Sequence, residues 1–253
     1  MGSLKTFFQK VFRKRGTVMV LDIVAPLRWE LVPLIRRLEG CRRGRYGFEG
    51  WISGMLVRIY WVGVGEMGLR RMVEYMDARV RCVLFIGCAA GLEVGMEVGD
   101  IFFCRPCYRE VQGGVERVGL SYNDRVQEAL ARVVSFPVRR SITVREVVRF
   151  PRQKARWRRC GAGLLEMENA HVAALFAERF PSLPLIFLRS VLDPLQTTLP
   201  EVGGVGELLG AAFFTPWRLF CLVRDFRRCV HSLAGGVVEV LGYLEREGLL
   251  DLL

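Results

Sequence analysis

Residues 80–91 of this 253-residue chain read VRCVLFIGCAAG, and this stretch decides the fold. Its first part, Val80 to Ile86, is apolar at almost every position, which is typical of a strand covered on both faces. The small residues Gly87 to Gly91 that follow predict a loop at the carboxyl end of that strand. In open α/β sheets, such loops are where ligands bind.

Similar stretches lie on both sides of it. Strand-like patterns occur at Thr17 to Ala25, Leu56 to Val62, Gly99 to Cys104, Gly161 to Leu165 and Leu183 to Leu188. Helix-like patterns occur at Pro26 to Leu38, Glu66 to Ala78, Asn123 to Val134, Met167 to Phe180, Pro216 to Leu233 and Val237 to Glu247. Because strands alternate with helices, the chain predicts an α/β fold with a mainly parallel or mixed sheet.

The composition, 51% hydrophobic and 25% charged, is typical of a globular domain. We expect a basic N-terminal extension over residues 1–16 and a single domain over 17–253, with C-terminal helices from about residue 204. No apolar run approaches the roughly 18 to 20 residues that a membrane span needs, and the extension lacks the pattern of a secretory signal. These features predict a cytoplasmic protein with reduced cysteines.

Basic residues outnumber acidic ones, with 37 Lys and Arg against 26 Asp and Glu and a net charge of +11. The cluster from Arg139 to Arg159 raises the hypothesis of nucleic-acid binding. However, Phe150 and Trp157 are its only aromatic residues, and a solvated amphipathic helix explains the charges as well. We therefore expect no nucleic-acid partner and keep this function as a minor hypothesis.

Two short motifs are typical of cofactor and metal sites. Gly63 to Gly68 fits GxGxxG between a strand and a helix, but the next strand ends without the acidic residue that a dinucleotide ribose needs. Cys104 and Cys107 form a CxxC pair, which needs two further ligands to hold zinc, and the sequence has no second CxxC. We therefore expect neither a nucleotide cofactor nor a metal.

Acidic residues lie at two of the predicted strand ends. Glu166 and Glu168 follow one strand, and Asp193 follows another. The loops expected to converge with them are at Pro26, Gly63, Gly87 and Arg189. A helix start favours Glu and a turn before proline favours Asp, so each acid has a structural explanation of its own. Their coincidence with the glycine loops favours one shared cleft.

Taken together, these residues resemble the nucleoside phosphorylase and nucleosidase superfamily, which includes methylthioadenosine/S-adenosylhomocysteine nucleosidase. The resemblance runs from about Val18 to Asp193. It rests on APLRWEL at 25–31, the Gly63-Val64-Gly65 turn, FIGCAAGL at 85–92, VGD at 98–100, Glu166-Met167-Glu168, and RSVLD at 189–193. It implies a three-layer αβα sandwich with a central mixed, mostly parallel sheet.

Further features are similar to one branch, the hopanoid-associated phosphorylase-like proteins. They are Lys154 ahead of Gly161-Ala162, Asp193-Pro194, Leu199-Pro200, and Pro216-Trp217-Arg218 leading into Arg224-Asp225. This second resemblance implies a lipid-linked substrate such as adenosylhopane. The basic N-terminus would then allow peripheral contact with the anionic inner face of the membrane.

The resemblance also implies roles for individual residues. Asp193 corresponds to the acid that protonates N7 of the departing purine, and Glu30 to the acid that orients the attacking water. Glu168 corresponds to the residue that holds the ribose 2′ and 3′ hydroxyls, with Met167 against the sugar. Further predicted substrate-binding residues are Glu166, Arg189, Cys88, Ala89 and Gly65.

The chain departs from the family pattern at two of these places. Leu192 stands before Asp193 where the family usually has a serine, and Cys88 stands where a serine often contacts phosphate or water. Where an aromatic residue usually stacks on the purine, the chain has Val147 and Val148.

We therefore expect an enzyme that cleaves the N-glycosidic bond of a purine (adenine) nucleoside by phosphorolysis or hydrolysis. It would need no cofactor beyond phosphate as a co-substrate, and it would form a homodimer or larger oligomer. Two alternatives stay open. One is a soluble methylthioadenosine/S-adenosylhomocysteine-type nucleosidase, and the other is a degenerate, non-catalytic nucleoside-binding protein.

Overall fold

A computed structural model of the chain describes residues 20–64, 66–112, 114–118, 130–199 and 216–246. The strands are β1 (Val20–Ala25), β2 (Glu39–Arg43), β3 (Phe48–Ile52), β4 (Met55–Trp61), β5 (Val80–Gly91), β6 (Ile101–Val111), β7 (Gly114–Val118), β8 (Val138–Thr143), β9 (Leu164–Glu166) and β10 (Leu185–Asp193). The main helices are α1 (Arg28–Ile35), α2 (Glu66–Tyr75), α3 (Pro151–Arg159), α4 (Asn169–Arg179) and α5 (Pro216–Arg246).

The strands form one mixed sheet in the order β10-β6-β8-β9-β5-β1-β4-β3-β2, and β10 also pairs with β5. This additional pairing closes β5, β9, β8, β6 and β10 into a ring, while β1 to β4 extend the sheet to one side. The central pairs of β1 with β4 and β5, and of β5 with β10, are parallel. The ring also includes antiparallel pairs, β10 with β6 and β5 with β9. The predicted α/β fold with a central mixed sheet is therefore confirmed.

Apolar side chains on the two faces of the sheet form two separate cores, as a three-layer sandwich requires. On one face, Leu31 and Leu34 of α1 and the buried side of α5 pack against β1, β4 and β5. On the other face, Leu69 and Met72 of α2 and the buried residues of α4 pack against the same strands. A third cluster around Trp157 places α3 beside the ring.

Strand β5 runs on through the segment that was predicted to be a loop. Gly87 to Gly91 remain extended because they pair with β10 along one edge, where Arg189 is opposite Gly87 and Ser190 is opposite Cys88. On the other edge, the end of β5 pairs with β9. The predicted loop at Arg189 is likewise part of a strand, since β10 continues to Asp193.

The C-terminal region also differs from the prediction, because its two predicted helices are one helix, α5, of 31 residues. Gly235 and Gly236, which lie between the two predicted segments, are both within α5. A Cβ on Gly236 would lie 2.8 Å from Ile101 Cδ1, so the glycine allows α5 to pack closely on the sheet.

The arginine-rich segment was interpreted as one amphipathic helix, and this interpretation was wrong for its first part. Residues 138–143 form strand β8, and α3 covers only Pro151–Arg159. The hairpin strands β2, β3 and β7 were not predicted. The N-terminal extension 1–16, most of the predicted helix from Asn123 and the start of the C-terminal region lie outside the described residues.

Candidate active site

Arg189 of β10 is the centre of a buried polar cluster, and its side chain is fully buried. Its Nη2 lies 3.3 Å from Glu166 Oε2 and 3.3 Å from Glu168 Oε2. Its Nε and Nη2 also donate to Asn169 Oδ1 at 3.0 and 2.5 Å. Gly87 makes room for this side chain, because a Cβ there would lie 2.1 Å from Arg189 Nη1.

The strand register explains why these residues meet. Strand β9 runs antiparallel to β5, with Leu165 opposite Ala90, so its end points back along β5 toward Gly87. Gly87 is opposite Arg189 on the other neighbouring strand. The segment from Glu166 to Asn169 therefore reaches the level of Arg189.

Glu166 has both carboxylate oxygens engaged within the protein. Its Oε2 accepts the backbone N–H groups of Glu168 and Asn169 at 2.7 and 2.5 Å, and its Oε1 accepts the Thr143 hydroxyl. These bonds satisfy the first N–H groups of α4, which a helix start leaves without partners. Glu166 thus holds the segment that presents Glu168.

Glu168 lies at the start of α4 and is 6% exposed. Burial raises its pKa to about 7, although the nearby Arg189 guanidinium acts in the opposite direction. Burial favours the neutral form of a carboxyl group, and a neighbouring cation favours the charged form. Glu168 is therefore a carboxyl group that can change its protonation state near neutral pH.

Glu30 connects the first helix to β5. Its Oε1 accepts the backbone N–H of Cys88 at 2.9 Å, and its Oε2 accepts the N–H of Leu27 at 3.0 Å. Leu27 is the N-cap residue of α1, and the bond from its N–H to Glu30, three residues later, is the backward half of a capping box. Burial raises the pKa of Glu30. The hydrogen bond from the Cys88 N–H and the charge of Arg189 act in the opposite direction and lower this pKa.

Asp193 ends β10 opposite Ala90 and is 2% exposed. Its Oδ1 forms an ion pair with Lys154, at 2.6 Å from Nζ, and neither of its buried oxygens has a hydrogen-bond partner among the described residues. Burial raises the pKa of Asp193 to about 6, and the ion pair with Lys154 limits this rise. Since Ala90 also pairs with Leu165, Asp193 and the Glu166–Glu168 segment lie on either side of β5.

Three further predicted site residues, Cys88, Ala89 and Met167, are within the described structure. Cys88 is half-buried, with its Sγ 3.2 Å from Cys229 Sγ of α5, and Ala89 beside it is buried. Met167 is half-buried and packs against the cluster around Trp157. Gly65 lies outside the described residues.

A surface groove of about 340 Å³ opens beside this cluster. It is lined by Glu110, Val144, Arg145, Glu146, Val147, Val148, Gln153, Arg156 and Trp157. One of the lining residues, Val144, is hydrogen-bonded to the acidic segment, because its N–H donates to the backbone carbonyl of Glu166 at 2.8 Å. Val147 and Val148, which stand where the family usually has an aromatic residue on the purine, both line this groove.

Asn169, Thr143 and Lys154 belong to the cluster but were not predicted as site residues. Asn169 and Thr143 carried no signal, because their roles depend on long-range pairing of β8, β9 and β10. Lys154 did have a sequence signal, since only four of the 37 basic residues are lysines. A lysine on an otherwise arginine-rich helix indicates a place where a compact ammonium is needed.

The two excluded motifs have structural roles. In the GxGxxG segment, Gly63 has a φ of +95° and donates to the carbonyl of Pro26, and a Cβ on Gly68 would lie 2.3 Å from the Gly63 oxygen. These glycines therefore allow α2 to start close to the preceding turn. Cys104 and Cys107 are buried in β6, and Cys107 Sγ contacts the Cys104 carbonyl.

No protein-family model matches the chain, and no curated protein matches its sequence. Solved structures do match its fold. Futalosine hydrolase of Helicobacter pylori superposes with a TM-score of 0.67 at 14% identity, covering 90% of this chain and 99% of that one. A 5′-methylthioadenosine/S-adenosylhomocysteine nucleosidase of Neisseria meningitidis, in complex with methylthio-immucillin-A, gives 0.67 at 16% identity, covering 89% and 99%.

A third match is the nucleosidase of the same kind from Colwellia psychrerythraea 34H in complex with adenine, with a TM-score of 0.66 at 15% identity, covering 89% of this chain and 96% of that one. The chain therefore shares the fold of these nucleosidases. At these identities the similarity establishes the fold, and the chemistry has to be argued from the residues of this chain.

Proposed function

We propose that this protein cleaves the N-glycosidic bond of a purine nucleoside, with adenine as the leaving base. The observation that carries the proposal is Asp193, a buried carboxyl group paired with Lys154, neither of whose oxygens has a hydrogen bond among the described residues. The segment that presents Glu168 lies across β5 from it. Breaking this bond leaves a cationic sugar and an anionic purine. An acid for the base and a carboxylate for the sugar are the two groups that the reaction needs.

The pKa of Asp193 suits the role of the acid. A carboxyl group with a pKa of about 6 keeps a proton on a substantial fraction of molecules near neutral pH, and it gives up that proton more readily than a weaker acid. In the proposed mechanism, Oδ2 carries the proton to N7 of the purine as the glycosidic bond lengthens.

Glu168 and Arg189 support the sugar side. Glu168, ionised when substrate is bound, accepts hydrogen bonds from the ribose hydroxyls and stabilises the developing positive charge. Arg189 orients Glu168 through the 3.3 Å contact and does not itself need to reach the nucleoside. Met167 packs against the sugar.

Glu30 is the proposed base for water, and the backbone near Cys88 is the proposed binding place for water or phosphate. The carboxylate of Glu30 already accepts the Cys88 N–H, which places an acid and a small side chain at this position of β5. No further cofactor is part of the proposal.

Two finer proposals concern the substrate and its location. The branch resemblance favours a lipid-linked adenine nucleoside such as adenosylhopane, taken from the inner surface of the membrane by a cytoplasmic homo-oligomer. None of the described helices is long and apolar enough to cross a membrane. The matched nucleosidases favour the other candidate, a nucleoside with a small 5′ substituent such as methylthioadenosine.

An adenine-release assay tests the proposed function and separates its forms. Purified protein is incubated with adenosine, methylthioadenosine, S-adenosylhomocysteine and an adenosine with a long 5′ alkyl chain, with and without phosphate. We expect adenine to appear from at least one of them. Release that depends on phosphate identifies phosphorolysis. Binding of adenine without release from any nucleoside would instead support a non-catalytic nucleoside-binding protein.

Replacing Glu168 with glutamine tests the sugar-binding role. An amide cannot accept both ribose hydroxyls, and hydrogen bonds to a charged group contribute about 1.5 to 3 kcal/mol. We therefore expect kcat/KM to fall by about 10- to 100-fold.

The same variant should distinguish less strongly between adenosine and 2′-deoxyadenosine than the unmodified enzyme does. Glu178→Gln is the matched control, because Glu178 is exposed on the same helix. If kcat/KM fell as much from adenosine to 2′-deoxyadenosine in Glu168→Gln as in the unmodified enzyme, Glu168 would not be the residue that binds the 2′ hydroxyl.

A further inference from the structure

Lys154 is the most buried cation of the described chain that the proposed reaction has not yet used. It lies on α3, and its side chain is completely buried, although the neighbouring basic residues of this helix are exposed. Among the described residues it is also the only lysine. A buried ammonium is costly unless its charge and its N–H groups have partners.

The surroundings of Lys154 meet this requirement fully. Its Nζ lies 2.6 Å from Asp193 Oδ1 and donates to the carbonyl oxygens of Pro194 and Thr197 at 2.8 and 2.7 Å. Two of the three N–H groups of the ammonium therefore have backbone acceptors, and its charge is paired with the Asp193 carboxylate. Two of the acceptors are backbone groups of the segment after β10, so Lys154 fixes this segment as well as the carboxylate.

The arrangement makes the two oxygens of Asp193 unequal. Both oxygens are buried without a hydrogen bond among the described residues, and Oδ1 is the one that forms the 2.6 Å ion pair with the ammonium. A proton is therefore held more favourably on Oδ2, since Oδ1 faces a cation. Leu192, the residue before Asp193, has no polar side chain to orient the carboxyl group, so this task falls to Lys154.

We infer that Lys154 is the positioning residue of Asp193: it anchors Oδ1, leaves Oδ2 to deliver the proton, and stabilises the carboxylate that proton transfer leaves behind. This inference rests on the proposed function. In the step itself, the proton moves from Oδ2 to N7 of the purine, the C1′–N9 electron pair passes into the base, and Asp193 becomes an anion beside Lys154. The cationic C1′ then bonds to the oxygen of water or phosphate, and with water the released proton passes to the proposed base Glu30.

Among the described residues of the elements around Asp193, the charged group that faces its carboxylate is Lys154. Arg189, on the same strand as Asp193, contacts Glu166 and Glu168 instead. Burial favours the protonated form of Asp193, whereas the ion pair with Lys154 favours the carboxylate. Removing the ammonium therefore removes the main interaction that lowers the pKa of Asp193, and the effect of burial, which raises this pKa, remains.

The test is an NMR titration of the Asp193 carboxyl carbon in the protein and in Lys154→Met, with the signal assigned from its loss in Asp193→Asn. An opposite charge in contact lowers the pKa of a carboxyl group by about 1 to 3 units, so we expect the midpoint to rise by that amount in Lys154→Met. Arg158→Met removes a positive charge from the exposed side of the same helix and should leave the midpoint unchanged.

A second measurement requires no change at Lys154. In protein labelled with ¹⁵N-lysine, one side-chain Nζ signal should change at the same pH as the Asp193 carboxyl carbon, and this change should disappear in Asp193→Asn. A midpoint that stays the same in folded Lys154→Met, or the lack of any Nζ signal that follows Asp193, would overturn the inference.

The kinetic readout is kept separate from these titrations. For Lys154→Met we expect kcat for adenine release to fall by about 10- to 100-fold with KM changed by less than about threefold, because Lys154 does not touch the substrate. A protein that cleaves no nucleoside would refute the proposed function, but the titrations would still decide whether Lys154 controls Asp193.

Discussion

Asp193→Asn is expected to lower kcat for adenine release by about 10²- to 10⁴-fold, the range that general acid catalysis typically contributes. An asparagine has nearly the same shape but no proton of suitable acidity, so the purine would have to leave as an unprotonated anion. Binding of free adenine should change much less. Steady-state kinetics with the best nucleoside from the release assay measures the effect.

The pH dependence of this variant provides an independent check. In the unmodified enzyme, activity that requires protonated Asp193 declines as the pH rises above about 6, the pKa that burial gives this group. Asp193→Asn should lack this decline. Asp77→Asn is a suitable control because Asp77 lies in the turn before β5, at the opposite end of the strand. An Asp193→Asn enzyme within about threefold of full activity would exclude Asp193 as the acid.

The largest expected effect on stability comes from Arg189→Met. The substitution leaves Glu166, Glu168 and Asn169 without their shared buried donor. Breaking a buried ion pair by removing one partner costs about 3 to 5 kcal/mol, because the remaining charge is uncompensated. We expect the free energy of unfolding at pH 8, measured with urea, to fall by about this amount.

The loss should be smaller at pH 5 than at pH 8. The pKa of Glu168 is already raised to about 7, so this group is largely neutral at pH 5 and needs a cation less. Arg179→Met, which removes an exposed arginine from the end of α4, is expected to change stability by less than about 0.5 kcal/mol. An equally small effect of Arg189→Met at pH 8 would show that Arg189 does not hold the acidic cluster together.

The sequence was sufficient for the fold class, because the buried strands of an α/β sheet are visible as continuous apolar runs. Val80 to Ile86 and Leu185 to Leu188 are of this kind, and both lie at the centre of the sheet. The extension of β5 through Gly87 to Gly91 was not visible. Small residues favour loops locally, and their extended form depends on pairing with β10 and β9.

The candidate acids were predicted from the sequence, but the way they are held was not. Glu168 and Asp193 stood out because acidic residues at strand ends are rare enough to be noticed. The supporting groups, Asn169, Thr143 and Lys154, come from distant parts of the chain and meet only when the ring of strands closes. The motif at Glu166 likewise did not indicate that its carboxylate accepts the backbone N–H groups of Glu168 and Asn169.

The central claim is that Asp193 and Glu168 act on one nucleoside from its two ends. The most direct measurement is a crystal structure with a C-nucleoside analogue of adenosine, whose carbon–carbon glycosidic bond cannot be cleaved. We predict Asp193 Oδ2 within about 3 Å of the purine atom at position 7 and the Glu168 carboxylate at the same distance from the 2′ and 3′ hydroxyls. The account would be contradicted by an analogue bound at another site. It would also be contradicted by an analogue that makes no contact with the carboxyl group of Asp193 or with that of Glu168.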